Sequence, residues 1–297
     1  MAAPTPGLYL PGLYLPGLYL VATPIGHAAD ITLRALDILR GATAIACEDT
    51  RVTSRLLARH GVSRPLLSYH EHNAAAMRPK LLARIAAGQV IALVSDAGMP
   101  LISDPGYKLV RACVEAGLPV TAAPGANAAL TALVLSGLPS DRFLFAGFLP
   151  PKAGARRETL AELAPLRATL IFYESARRLP EMLAELGAVL GDRPAAVARE
   201  LTKLFEEVRR GTLTGLAGHY AAAGPPKGEV VVVVGPPPVV EPGTAADGIA
   251  ALDDALRTAL AGHGVRDAAA LVAGALGLPR RQVYARALEL TAKGEKP

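Results

Sequence analysis

The sequence predicts an α/β chain of two α/β domains followed by a helical tail. Three observations carry this. Short apolar runs alternate with segments of helical periodicity through most of the 297 residues, the pattern of a largely parallel sheet covered on both faces. The stretch GLPSDRF, around 137–143, interrupts the alternation and marks a junction. Beyond Gly235-Pro236-Pro237-Pro238 the strand runs stop and Ala-rich helical sequence takes over. The expected division is a tail at 1–16, domains at 17–138 and 139–236, a Pro-rich linker at 237–246 and a helical unit at 247–297.

Composition fits a folded chain. Apolar residues make up 51% and charged residues 19%, which excludes disorder over most of the length and leaves ample core. A net charge of +5 permits a polyanionic partner without requiring one. Cys47 and Cys113 both sit in apolar company, as buried thiols of a reducing, cytoplasmic compartment do.

The chain opens with P-G-L-Y-L three times over. No Lys or Arg precedes Arg34, so no secretory signal is expected in this stretch. Pro6, Pro11 and Pro16 would break a membrane helix repeatedly. Gly12 and Gly17 have P-loop spacing, but the Gly-Lys-Ser/Thr that grips phosphate is absent. Only the last copy, running into Val21-Ala22-Thr23, is expected to work, as a first strand. The upstream copies are expected to be tail.

The remaining elements follow in order. Asp30-Ile31-Thr32 caps a helix to Arg40 with Leu33, Leu36 and Leu39 near helical spacing. Thr43–Cys47 is a strand, and SRLLARHG is helical after Glu48-Asp49-Thr50-Arg51. A helix near Met77–Ala87 precedes the strand Gln89–Ser95, and a helix at Tyr107–Ala116 precedes the strand Pro119–Ala122. A further helix ends at Ser136. FLFAGFLP, ATLIFYES, AAVAREL and GEVVVVVG supply the strands of a second sheet. Four strands of the first half end in small or polar loops, T-P-I-G, E-D-T-R, S-D-A-G-M-P and A-P-G-A-N. Parallel sheets bind ligands at that end of their strands, and none of these loops is the GxGxxG of a dinucleotide site.

These stretches, together with SYHEHN, VSDAGMPLISDPG, PGANAALTALVLSGLPSDRF, FYES and ARELTKLFEE, resemble one family, from about Leu18 to Gly235. It is the ribosomal RNA small subunit methyltransferase I branch of the tetrapyrrole methylase superfamily. The resemblance implies a mostly parallel N-terminal sheet, a mixed C-terminal sheet, and S-adenosyl-L-methionine held between them, commonly in a homodimer. It implies methyl transfer to the ribose 2′-hydroxyl of a cytidine in 16S RNA at the decoding centre, with small-subunit RNA as partner and no membrane. Donor contacts carry over to Pro24, to Asp96, Ala97, Gly98 and Pro100, and to Gly125, Ala126, Asn127 and Ala128. The second domain contributes Tyr173, Glu174, Leu201 and Glu229. The third loop departs from the Gly-Asp-Pro of small-molecule methylases, which leaves the contacts there open.

A sugar hydroxyl is a poor nucleophile while protonated, so a general base is expected, adding about 10²–10⁴-fold. Glu48, Asp49 and His70 are the candidates for this role, with Asp96 beside them. Histidine ordinarily titrates near neutrality, and Asp49 has the alternative task of orienting Arg51. Arg51, Lys203 and the basic loop carrying Lys152, Arg156 and Arg157 are expected on RNA phosphates. His70-Glu71-His72 lacks a third ligand for a metal, and none is expected. The tail reads helix, turn at Gly277, then a second helix opened by Pro279 and bearing Arg280 and Arg281. That resembles a helix-turn-helix on nucleic acid. Two other functions share parts of this pattern. A tetrapyrrole-precursor methylase needs neither basic loop nor tail, and a non-enzymatic nucleic-acid regulator leaves the four loops unexplained.

Overall fold

The computed structural model describes residues 9–10, 13–238, 245–276 and 278–292. Strands β1 (Tyr9–Leu10) and β2 (Leu13–Tyr14) form a small antiparallel ladder. The third copy of the repeat is β3 (Gly17–Val21), buried along its whole length. The second copy is engaged too, which amends the expectation of a plain tail up to residue 16. Its Tyr14 ring packs so closely on Gly41 that no Cβ would fit there.

The first sheet adds β4 (Ala44–Cys47), β5 (Leu66–Ser68), β6 (Val90–Val94) and β7 (Val120–Ala123). Its order is β5-β4-β6-β3-β7, with every pair parallel. Alternate residues of β3 serve opposite cores. Tyr19 and Val21 pack against α1 (Leu33–Gly41), which joins α2 (Thr50–Arg59) on that face. Leu18 and Leu20 pack against α3 (Ala74–Ala86) and α4 (Tyr107–Glu115) on the other. Burial on both faces explains why these strands read as continuous apolar runs. The α1 cap is Thr32, whose hydroxyl accepts from the Ala35 amide at 3.1 Å. Leu33 is not part of the packed face. It is 82% exposed, and Ala35, Leu36, Ile38 and Leu39 do the packing.

Helix α5 (Ala128–Ser136) leads to the second sheet, β8 (Phe143–Phe148), β9 (Thr169–Ser175), β10 (Pro194–Arg199), β11 (Glu207–Thr212) and β12 (Glu229–Val234). The order is β11-β10-β12-β9-β8, parallel only between β8 and β9. The mixed sheet expected from the resemblance is present. Helices α6 (Ala153–Leu163), α7 (Leu179–Leu190) and α8 (Leu213–Ala223) cover one face around Leu160, Leu183, Leu216 and Phe172. Ala129 and Leu133 of α5 cover the other, against Ile171, Ala198 and Val233. Strand β11 escapes the sequence reading because EVRRGT has no apolar run; it is an edge strand bonded to β10 alone.

A separate unit begins at Pro238. Within it, α9 (Ala245–Leu260), α10 (Val265–Leu276) and α11 (Arg280–Ala292) close around Leu256, Ala269, Val283 and Ala287. Arg286 of α11 holds both oxygens of Asp253 at 2.7 Å. Arg280 and Arg281 are exposed on the first turn of α11. The turn expected at Gly277 lies outside the described residues.

The basic loop expected around Lys152, Arg156 and Arg157 runs into the first turns of α6, and Arg156 does not face solvent. It is 3% exposed and donates to Glu181 at 2.5 Å and to Glu185, clamping α6 to α7. Burial removes it from any RNA contact, whereas Arg157 and Lys152 remain exposed. Removing the buried guanidinium leaves Glu185, half-buried, without its partner. Arg156→Ala therefore costs about 3 kcal/mol in urea unfolding, and leaves the activity per folded molecule unchanged.

Candidate functional site

The carboxyl ends of β3, β4, β6 and β7 all open on one edge of the first sheet, where a parallel sheet offers ligands its loops. Loop 23–26 and loop 96–104 are tied by a two-way bridge, Thr23 N–H to Gly98 O at 2.9 Å and Gly98 N–H to Thr23 O at 3.0 Å. The Thr23 hydroxyl also donates to Ser95 O at 3.1 Å. Loop 23–26 then meets the β10–β11 loop of the second sheet. A Cβ at Gly26 would lie 2.6 Å from Lys203 Cγ and 2.9 Å from the Leu201 carbonyl oxygen. The His27 amide donates to the Thr202 hydroxyl at 3.0 Å.

This approach encloses a cavity of about 230 Å³ between the two sheets. The first domain lines it with Ile25, Ala97, Gly98, Met99, Asp104, Asn127 and Ala128. The second lines it with Phe148, Tyr173, Glu174, Leu201, Glu229 and Val231. An adjoining cavity of about 310 Å³ shares Ile25, Ala97 and Glu229 and adds Pro24, Asp96, Arg55, Arg59 and Lys203. Four described non-glycine residues have positive φ, and all lie in the two loops that meet here: Leu101 (74°), Ser103 (64°), Glu200 (50°) and Thr202 (64°). Strained backbone of this kind persists where surrounding structure holds it, and it clusters at functional sites.

Charge is unevenly settled in the site. Asp49 caps α2 by accepting from the Arg51 amide at 2.8 Å, and it also takes the Arg51 guanidinium at 2.7 Å and 3.1 Å. Those bonds hold its carboxyl down at about 2. Glu48 is pushed up by burial and by Asp96, against the pull of His70. Asp104 is pushed up to about 6, first by burial and then by the charges of Glu48 and Asp96. Glu174 pairs with Arg178 at 2.9 Å, and Lys203 is held by Glu200 at 2.9 Å and Glu229 at 2.8 Å. Among the described residues no group of three His, Cys, Asp or Glu is placed to hold a metal.

Most of the expected donor-binding residues come together. Ala97, Gly98, Asn127, Ala128, Tyr173, Glu174, Leu201 and Glu229 line the first cavity, and Pro24 and Asp96 the second. Pro100, Gly125 and Ala126 line neither. Gly125 is instead a packing glycine, since a Cβ there would lie 2.8 Å from that of Ala22. Glu48, Asp49 and His70 also line neither cavity. The sequence reading passed over Asp104, Phe148, Arg55 and Arg59. Asp104 stood in the quoted S-D-P-G stretch, and the Arg55/Arg59 pair was legible as one helix face at four-residue spacing.

Two α/β domains around a cavity built from strand-end loops form the architecture of a methylase class. The tetrapyrrole (corrin/porphyrin) methylases match residues 17–217, and the RsmI C-terminal HTH domain matches residues 246–291. A protein named ribosomal RNA small subunit methyltransferase I in Erythrobacter litoralis is 56% identical over 96% of each chain. Proteins of the same name in Mesorhizobium japonicum and Escherichia coli O157:H7 are 53% and 46% identical over 91% of this chain, covering 91% and 94% of their own. Among solved structures, uroporphyrin-III-C-methyltransferase from Thermus thermophilus superposes with a TM-score of 0.54 at 26% identity, over 73% of this chain and 93% of that one. The methyltransferase CobJ, at TM-score 0.57 and 20% identity over 74% and 94%, shares the fold. The chain belongs to the ribosomal RNA small subunit methyltransferase I family of the tetrapyrrole methylases.

The closure at Gly26 is testable. Because the Leu201 carbonyl cannot swing aside as a side-chain end can, Gly26→Ala costs about 1–3 kcal/mol in denaturant unfolding. Gly154→Ala, in the first turn of α6 with open space around it, is neutral or stabilising by about 0.5–1 kcal/mol.

Proposed function

We propose that the protein transfers a methyl group from S-adenosyl-L-methionine to the ribose 2′-hydroxyl of a cytidine in small-subunit 16S RNA, at the decoding centre. The observation that carries this reading is the inter-sheet cavity, which combines apolar walls with carboxylates in a chain whose relatives bear the name of an RNA methylase. The residues present fit the donor. Ile25, Leu201 and Val231 suit a flat base, while Asp104 and the nearby Asp96 and Glu48 suit a cation. Gly98, at φ 80°, leaves backbone where a Cβ would press on Ile25 at 3.3 Å. When bound, the donor supplies a methyl on positively charged sulfur, which leaves as a neutral thioether.

The chain's own residues bind, align and exclude water, and alignment alone is worth about 7–11 kcal/mol in well-ordered reactions. The acceptor hydroxyl still has to lose its proton. Asp49 is spent on Arg51, and Glu48 and His70 flank the site from the ends of β4 and β5. Arg51, Lys152, Arg157 and Lys203 are assigned to RNA phosphates, as are Arg280 and Arg281 in the helical unit. None of the described helices is long and apolar enough to cross a membrane. A ribosomal substrate supports a cytoplasmic setting, and the family resemblance supports a homodimer.

The test is methyl-labelled donor mixed with protein and small ribosomal subunits. Label enters deproteinised small-subunit RNA and protects one cytidine linkage from alkaline cleavage. Label found only in a porphyrin precursor would instead establish the tetrapyrrole reading. Tight duplex binding with no transfer to anything would establish the regulator. Asp96→Ala weakens donor binding about tenfold by calorimetry, because Asp96 lines the site and accepts from the Asp49 amide at 3.1 Å; unchanged affinity removes its assigned role.

A further inference from the structure

The proton of the acceptor hydroxyl needs a destination, and the cavity narrows the choice. Among the described residues three carboxylates line it: Asp104, Glu174 and Glu229. Glu174 is committed to Arg178 at 2.9 Å and to the Ser175 amide at 2.7 Å. Glu229 is committed to Lys203 at 2.8 Å. Among the described residues Asp104 has no cationic partner, and it lies in the strained stretch between Leu101 and Gly106 whose backbone holds positive φ at three positions. Glu48, Asp49 and His70 line neither cavity.

We propose, resting on the methyl-transfer reading above, that Asp104 is the general base that takes the proton from the ribose hydroxyl. The O–H bond breaks as that oxygen bonds the methyl carbon. The C–S bonding pair stays on sulfur, giving a neutral thioether, and the proton resides on an Asp104 carboxylate oxygen before passing to water. Charge balances: a cation and a carboxylate enter, and a neutral thioether and a carboxylic acid leave.

The surroundings suit the task. Glu48 at the end of β4 and Asp96 at the end of β6 raise Asp104 by charge, a hydrogen bond with Ser95 opposes them, and Tyr173 faces it from β9. His70, after β5, acts on the neighbouring Glu48. A carboxyl titrating near 6 is ionised at neutral pH yet far more basic than an ordinary one, the compromise that general-base catalysis favours. Because protonation disables the base, activity falls as pH drops through about 6.

Asp104→Asn, nearly isosteric, is expected to lower single-turnover methylation of small subunits by about 10²–10⁴-fold. S-adenosylhomocysteine, which has neutral sulfur, binds it within a few-fold of wild type. Carbon-13 NMR of aspartate-labelled, ligand-free protein shows a carboxyl titrating near 6 that disappears in the variant. Glu48→Gln moves both that titration and the acid limb of kcat/KM to lower pH, since one neighbouring negative charge is gone. An Asp104→Asn protein retaining more than a tenth of the wild-type rate overturns the proposal, as does a spectrum with no carboxyl near 6. Wild-type protein that places no label in RNA defeats the methyl-transfer reading instead, and the NMR titration still reports on Asp104.

Discussion

No side chain fits at residue 26, and the site depends on that constraint. Loop 23–26 leaves β3 of the parallel sheet and presses its backbone against residues 201–203 in the β10–β11 loop of the mixed sheet, with a Lys203 methylene and the Leu201 carbonyl in the space a Cβ would need. The same loop is bonded sideways to Gly98 in both directions. One short segment therefore fixes three things together: the distance between the sheets, the position of the 96–104 loop and the floor of the cavity. The positive φ angles at Leu101, Ser103, Glu200 and Thr202 are the cost of holding two loops there, about 1–3 kcal/mol for each residue so strained. Cores in the sheets behind the loops offset this cost, and a further cluster joins Ile25 and Leu201 at the cavity wall to α5 and the second sheet.

The two domains bring different chemistry to the shared cavity. Parallel strands end their backbone in one direction, so the first domain contributes loops, with their free amides, carbonyls and carboxylates. The second contributes wall. Val230 and Val231 of β12, Ala198 of β10 and Tyr173 of β9 reach the cavity from strands, and Tyr173 is braced edge-on by Phe145 at 4.8 Å and Phe148 at 5.6 Å. Rigid apolar strands on one side and adaptable polar loops on the other suit a ligand that is part flat ring, part charged chain.

How much of this was legible follows from what sequence encodes locally. Continuous apolar runs such as VIALV and VVVVV announce strands buried on both faces, and Thr32 announces its helix through an oxygen that caps it. Edge strand β11 stayed hidden because half of it faces water and its residues are chosen for that side. The start of α6 was hidden for a different reason. A Gly beside two arginines reads as loop until Arg156 is seen buried on Glu181 and Glu185 of α7, residues far along the chain. Asp104 belongs to the same class of miss. Its neighbours in sequence, Ser103 and Pro105, say turn; its neighbours in space, Glu48 and Asp96, are what make it unusual. Tyr14 shows the converse, a repeat residue that looks redundant until a glycine on α1 gives it a seat.

Charge explains why cavity and rim must be kept distinct. A net charge of +5 suggests free cations to spare, yet many are spent internally. Arg199 and Arg209 pair with Glu207, and Arg156 and Arg286 each pair with two acids. Within the cavity the sign reverses, with Asp104 near Asp96 and Glu48. A cationic ligand is drawn into such a pocket, and a phosphate backbone is repelled from it. Screening confines both effects to about 8 Å at physiological salt. Under the proposed methyl transfer, the polyanion would lie along Arg55 and Arg59 on the adjoining rim while one neutral sugar group, carrying no charge of its own, would enter where the phosphates cannot follow.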